Sequence, residues 1–221
     1  MALILNIDTS INTTYVCIAK DKIVLQSYFS DDQKSNASNL HTAIADLLQK
    51  ENLTPKNLDA IAVTIGPGSY TGLRIGLATA KGLCYALNIP LITIGTLEMM
   101  AHYAIQEKNN EDYLYCPMID ARRMEVFAAI YDKNLNEIQK PYAQIIEVQT
   151  FANYLVDKKM IFFGNGMNKY ENINIYENAY FTEDNNFCKY LNIISLNKFI
   201  SGTFTNIAYV EPLYVKEFYN P

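Results

Sequence analysis

The chain has 221 residues, half of them hydrophobic and 19% charged, which suits one large globular domain or two small ones. Its net charge of −5 means that the surface alone should repel nucleic acid, whose phosphates require clustered Lys and Arg. No uninterrupted apolar run reaches the ~18 residues of a membrane span. The start, MALILNIDTS, has no basic lead and carries Asp8, so a secretory signal is not expected. Cys17, Cys84, Cys116 and Cys188 are far apart with no C-x-x-C, and three sit in apolar segments. Buried free thiols in a reducing cytoplasm are the expectation.

In chain order, Leu3 to Asp8 is an apolar strand running into Asp8-Thr9-Ser10, and Asn12 marks a turn. Thr14 to Ala19 and Ile23 to Phe29 read as two more strands joined at Lys20-Asp21-Lys22, which makes an antiparallel meander. Asp8 could hold a metal or water at its strand end, or cap the turn through its own backbone; an isolated D-T-S favours the cap. Ser30 to Asn36 is loop-like. Leu40, Ile44, Leu47 and Leu48 then mark an amphipathic helix to about Glu51, capped by Ser38 or Asn39 and broken at Thr54-Pro55.

Asp59 to Leu87 carries the most information. Ala60 to Ile65 reads as a buried strand, Gly66-Pro67-Gly68-Ser69 as a sharp turn, and Tyr70 to Leu87 as a helix. Five of the nine glycines fall here, together with Arg74, one of only three arginines. Gly66 and Gly68 would expose amides at a helix start, where anions bind. The turn nevertheless lacks the G-K-[ST] of a phosphate loop, and its G-x-G-x-x-x-G spacing misses the dinucleotide fingerprint. Asp8, Gly66, Gly68 and Ser69 are therefore weak candidates for a nucleotide. Gly72, Gly76 and Ala80 recur every fourth residue and form a flat stripe. Each helical glycine costs about 1 kcal/mol relative to alanine, so another backbone should lie close. Two readings follow: the helix presses on its own sheet, or on a helix of another subunit.

Pro90 to Ile94 is the next strand, and Thr96 caps a helix over Leu97 to Glu107 that ends at Asn109 to Asp112. The order strand, strand, strand, helix, strand, helix, strand, helix implies a mixed sheet with helices on both faces. The meander then repeats in Tyr115 to Asp120, Glu125 to Tyr131 and Leu135 to Lys140. Two halves are expected, 1–112 and 113–221. Arg122 and Arg123 lie in the turn between Asp120 and Glu125. A salt-bridged corner is the plain reading, and a contact for a partner or anion the functional one. Beyond, Glu147 to Val156 reads as a helix, Met160 to Phe163 as a strand, Gly164-Asn165-Gly166 as a turn, Phe187 to Ile194 as a short helix, and Val210 to Val215 as an extended tail. The second half is too short for a full set of helices and reads as reduced.

Taken together, I-D-T-S at 7–10, I-G-P-G-S-Y-T-G-L-R-I-G at 65–76, A-K-G-L at 80–83, I-D-A-R at 119–122 and E-P-L-Y-V at 211–215 resemble the TsaB family, also called YeaZ. The resemblance covers nearly the whole chain. The resemblance implies an α/β fold of the actin-like and sugar-kinase type, in two related βββαβα halves. It also implies a cytoplasmic, non-catalytic subunit that docks on a TsaD-like catalytic subunit, with a small TsaE-like ATPase assisting. That assembly moves a threonylcarbamoyl group from its adenylate to N6 of adenosine 37 in tRNA, and this chain meets tRNA only through the complex. TsaD-like proteins hold a metal with two histidines four apart; the matching positions here are Thr96 and Met100, so neither a metal nor a cofactor is expected. The expected docking residues are Leu40, Ile44, Leu47, Gly72, Leu73, Gly76 and Ala80, and the same surface implies a homodimer when the partner is absent.

His41 and His102 are the only histidines, and neither has a Ser and Asp set beside it in sequence, so no catalytic residue is assigned. The alternatives are an ATP-using enzyme of the same fold, with Asp8 near a metal and Gly66 to Ser69 near phosphate, and, less favoured, a glycoprotease-type metallopeptidase.

Overall fold

The structure is a computed structural model and describes residues 1–11, 13–31, 36–108, 112–183 and 190–216, with the backbone alone at 36–38. The expected turn at Asn12, most of the loop before Asn36, and residues 187–189 of the expected late helix lie outside the described residues.

The chain divides into two compact units, Met1–Thr96 with Cys188–Leu213, and Leu97–Phe187 with Tyr214–Pro221. The first holds the strands β1 (Leu3–Asp8), β2 (Thr14–Lys20), β3 (Ile23–Ser30), β4 (Ala60–Gly66) and β5 (Leu91–Gly95), and the helices α1 (Asn36–Lys50) and α2 (Tyr70–Leu87). The sheet order is β3-β2-β1-β4-β5, with β1 antiparallel to β2 and parallel to β4. β1 lies in the middle, so all six of its residues are buried. The core joins Leu5, Ile7, Val16, Ile18 and Val63 of the sheet to Leu40, Ile44 and Leu47 of α1 and Leu77, Ala80 and Cys84 of α2. Each Leu, Ile or Val among them contributes about 1.5–3 kcal/mol by leaving water.

The second unit holds α3 from Leu97 onward (the helix is Thr96–Lys108), then β6 (Tyr113–Asp120), β7 (Glu125–Tyr131), β8 (Glu137–Ile145), α4 (Ala152–Leu155), β9 (Lys159–Phe163), α5 (Asn168–Glu171) and β10 (Ala179–Thr182). Its order, β10-β9-β6-β7-β8, repeats the first: a meander, then two parallel additions to the strand that opens it. The crossovers have shrunk to four residues each in α4 and α5. Aromatic rings cover this sheet instead. Phe151, Phe162 and Tyr170 pack tilted and edge-on with centroids 4.9–5.0 Å apart, and Phe181 stacks on Phe162 at 5.4 Å. Large rings fill volume that longer helices fill elsewhere.

Several expectations shift. α1 starts at Asn36, so Ser38 and Asn39 are inside it rather than capping it. Thr96 is the first residue of α3 rather than its cap, and Glu147 to Val156 contains only the single turn of α4. β10 and α5 have no counterpart in the sequence reading, because four residues are too few to repeat a helical turn or to stand out as a strand. The late helix, α6 (Leu191–Ile200), starts four residues later than expected. The halves 1–112 and 113–221 also differ from the compact units at two helices. Most of α3 belongs to the second unit and α6 to the first. α6 is tied there by Asn192 Nδ2 donating to the Lys22 carbonyl (3.1 Å) and Lys198 Nζ to the Thr93 carbonyl (3.1 Å).

Candidate functional site

Two surfaces compete as functional sites: the glycine turn at the end of β4, and the helix it opens. In the first unit the turn is closed by the chain itself. Asp8 Oδ1 accepts from Ser10 N (2.9 Å), Ser10 Oγ (2.6 Å) and Thr64 Oγ1 (2.6 Å). Buried to 1% exposure, this carboxylate ties the loop after β1 to β4, which is the capping role. Ser10 then returns its carbonyl oxygen to the turn, accepting from Ser69 N at 2.6 Å. Ser69 caps α2, its Oγ accepting from Gly72 N at 3.3 Å. A side chain on Gly68 would overlap the Ser10 carbonyl oxygen. Gly66 has φ +120° and faces Leu213, whose amide donates to the Ile65 carbonyl (2.7 Å) and whose oxygen lies 2.6 Å from where a Cβ would sit. Two amides at this helix start, those of Ser69 and Gly72, thus serve the chain's own Ser10 and Ser69 rather than an anion.

The glycine stripe faces inward, which corrects the expectation that it docks a partner. A Cβ on Gly72 would overlap the Thr9 carbonyl oxygen, and one on Gly76 the Thr9 hydroxyl, with Val63 Cγ2 at 3.5 Å. Ala80, Leu40 and Leu73 are at most 1% exposed, and Ile44 and Leu47 are buried. The close-lying backbone is the chain's own; six of the seven residues are buried and Gly72 is half-buried, so they offer little apolar area. The outer face of α2 is different. Thr71, Arg74, Ala78, Gly82, Tyr85 and Ala86 are exposed, Tyr85 to 81%, and nothing lies within 4 Å of a Cβ on Gly82. Ala78, Gly82 and Ala86 form a second small-residue stripe, also at spacing four, on the opposite side. The two stripes share a periodicity; the signal that separates them is Arg74 and Tyr85, which flank only the outer one. α1, in the same unit, exposes His41, Thr42, Ala45, Asp46 and Gln49.

In the second unit the corner at 120–125 is salt-bridged, but among the described residues not by the arginines. Lys169 Nζ lies 2.6 Å from Asp120 Oδ1, and Lys216 Nζ 2.6 Å from Glu125 Oε2. Burial raises the Asp120 pKa, but hydrogen bonds from Lys169 and the Arg122 amide, with the Lys169 charge, outweigh it and leave the carboxyl below its ordinary value. Sequence reading missed both lysines because each is a lone residue far along the chain.

Thr96 and Met100, one turn apart on α3, are fully buried, and a hydroxyl with a thioether does not fit a site for a metal of the kind that imidazoles hold. His41 and His102 lie on α1 and α3. Among the described residues, no group of three or more His, Cys, Asp or Glu side chains could hold a metal ion. Burial pushes the thiols of Cys17 and Cys84 up to about 11, and that of Cys116 further still. No helix of the described residues is long and apolar enough to cross a membrane.

The model of the family TsaD: tRNA N6-adenosine threonylcarbamoyltransferase matches residues 30–201. The chain belongs to this family. Within it the sequence sides with the TsaB proteins. It is 35% identical over 128 residues to the tRNA threonylcarbamoyladenosine biosynthesis protein TsaB of Bacillus subtilis, covering 58% of this chain and 54% of that one. It is 32% identical over 135 residues to the protein of the same name from Escherichia coli, covering 61% and 57%. The matched segment thus spans little more than half the length of either relative. Among solved structures, YeaZ from Pseudomonas aeruginosa superposes with a TM-score of 0.77 at 23% identity, covering 97% of this chain and 100% of that one. An inorganic polyphosphate/ATP-glucomannokinase from Arthrobacter superposes at 0.50 with 9% identity, covering 89% and 99%. At such identities the likeness fixes the fold, which is of the actin-like and sugar-kinase type.

Proposed function

We propose that this chain is a non-catalytic subunit in the making of threonylcarbamoyladenosine on tRNA, docking on a TsaD-like catalytic subunit assisted by a TsaE-like ATPase. The reaction is the one for which its relatives are named. The observation that supports the non-catalytic reading is the closed turn: the Ser10 carbonyl oxygen takes the Ser69 amide at 2.6 Å and lies against Gly68. This also weighs against the ATP-using alternative. The docking surface is the outer ridge of α2, Thr71, Arg74, Ala78, Gly82 and Tyr85, with the exposed side of α1, and not the inward stripe. Small residues on a ridge let a partner helix approach closely, and Tyr and Arg are the side chains that anchor protein interfaces most often. The same ridge closes on a second copy when the partner is absent.

The test is transfer of threonylcarbamoyl to an unmodified tRNA transcript by the chain, by its TsaD-like partner, and by the two together with the ATPase. Transfer is expected only where the partner is present, and to rise with this chain. Transfer by the chain without the partner would overturn the reading.

A further inference from the structure

The corner between β6 and β7 holds four cations and two carboxylates. Both carboxylates are taken, Asp120 by Lys169 and Glu125 by Lys216. Arg122 and Arg123 stand exposed at the tip, and neither guanidinium has an ion-pair partner among the described residues. Two uncompensated charges thus lie side by side on a chain of net charge −5 that owns only three arginines. The backbone does not explain the choice. Arg122 has φ +71° and Arg123 φ +48°, a region that favours Gly, Asn and Asp over other residues. The turn is held by Asp120 Oδ1 accepting from Arg122 N (2.6 Å), Glu125 N donating to the Arg122 carbonyl (3.1 Å), and Ala121 N to the Glu125 carbonyl (3.1 Å). None of these uses a guanidinium. Residues chosen against the local backbone preference point to a role for their side chains.

Arginine forks match phosphate oxygens bidentately. Asp120, Arg122, Arg123 and Met124 are all exposed, so the tip offers a surface rather than the walls that enclose a small nucleotide. We infer that Arg122 and Arg123 contact the phosphodiester backbone of an RNA, which on the reading proposed above is the tRNA substrate. The contact positions the RNA without reading its sequence.

The test uses the full chain co-expressed with its TsaD-like partner, and an unmodified tRNA transcript followed by fluorescence anisotropy from 50 to 200 mM salt. Arg122→Asn with Arg123→Gly suits the turn, so the variant should fold. It is expected to bind about tenfold more weakly and to lower the slope of log K against log salt by about 2, near 0.9 per phosphate lost. Arg122→Lys with Arg123→Lys should keep the slope. Lys56→Ala with Lys158→Ala, the same charge change elsewhere on the surface, should leave affinity and slope unchanged. Undiminished binding by the Asn/Gly variant, an equal loss in the lysine control, or no RNA binding by the wild-type pair overturns the inference. So does displacement of the RNA by inorganic phosphate or ATP at micromolar levels, which would make the site one for a free phosphate compound. Partner co-purification is read on the same samples. A variant that keeps both partner and RNA ends this inference and leaves the docking reading standing, whereas a wild-type chain that never holds the partner ends the docking reading.

Discussion

The hydroxyl of Thr9 donates a 2.7 Å hydrogen bond to the carbonyl oxygen of Gly72, joining the loop after β1 to the first turn of α2. This approach is possible only because Gly72 and Gly76 lack side chains. The inward glycines are therefore structural, and the outward one, Gly82, is free for other use.

Substitution to alanine should separate the two stripes. Gly72→Ala drives a methyl group into the Thr9 carbonyl oxygen, a backbone atom, and should cost about 3 kcal/mol. Gly76→Ala meets a hydroxyl that can move and should cost less. Gly82→Ala meets nothing and should gain about 1 kcal/mol from helix propensity. Urea titration of the three variants measures the order.

Asp8 as a buried turn cap makes a second prediction. Asp8→Ala strands the Ser10 and Thr64 donors, and should cost about 3 kcal/mol, while Thr64→Val should cost about 1 kcal/mol. Chemical denaturation reads both. A residue that served only a ligand would leave stability unchanged.

His102 supplies a pH dependence. Burial lowers its pKa from 6.5, against the charge of Glu98, which raises it. The folded state thus binds fewer protons than the unfolded one below about pH 6.5. Its contribution is full above that pH and is lost as pH falls toward the lowered folded value. Melting temperatures from pH 7.5 to 5 should fall, and the fall should be shallower in His102→Gln. An identical slope in that variant would assign the effect elsewhere.

The β6–β7 tip predicts a gain. Arg123→Gly relieves a left-handed backbone at a position where the arginine has no ion-pair partner among the described residues, and should stabilise the chain by about 1 kcal/mol. A calorimetric melt measures it.

The first sheet was legible because long strands and an 18-residue helix repeat their periodicity often enough to be read. Tyr70 to Leu87 came out to the residue. In the second unit the strands β6, β7 and β9 were legible too, whereas α4, α5 and β10, four residues each, are too short to repeat a helical turn or to stand out as a strand, and they are held by the Phe151, Phe162 and Tyr170 cluster, which is assembled from distant segments. The site failed differently. Spacing of four found Gly72, Gly76 and Ala80, but a helix has two sides, and spacing does not say which side the sheet covers. The buried face follows from Leu73, Leu77 and Cys84 sharing it; the exposed face follows from Arg74 and Tyr85.

Co-purification of a tagged chain with the TsaD-like partner proposed for it, comparing Gly82→Leu with Gly82→Ala, tests the outer ridge most directly. Both variants should keep the native circular dichroism spectrum, because nothing lies within 4 Å of the new Cβ. The alanine variant should retain the partner and the leucine variant should lose it by at least tenfold. A leucine variant that holds the partner as tightly as the unaltered chain would contradict the account.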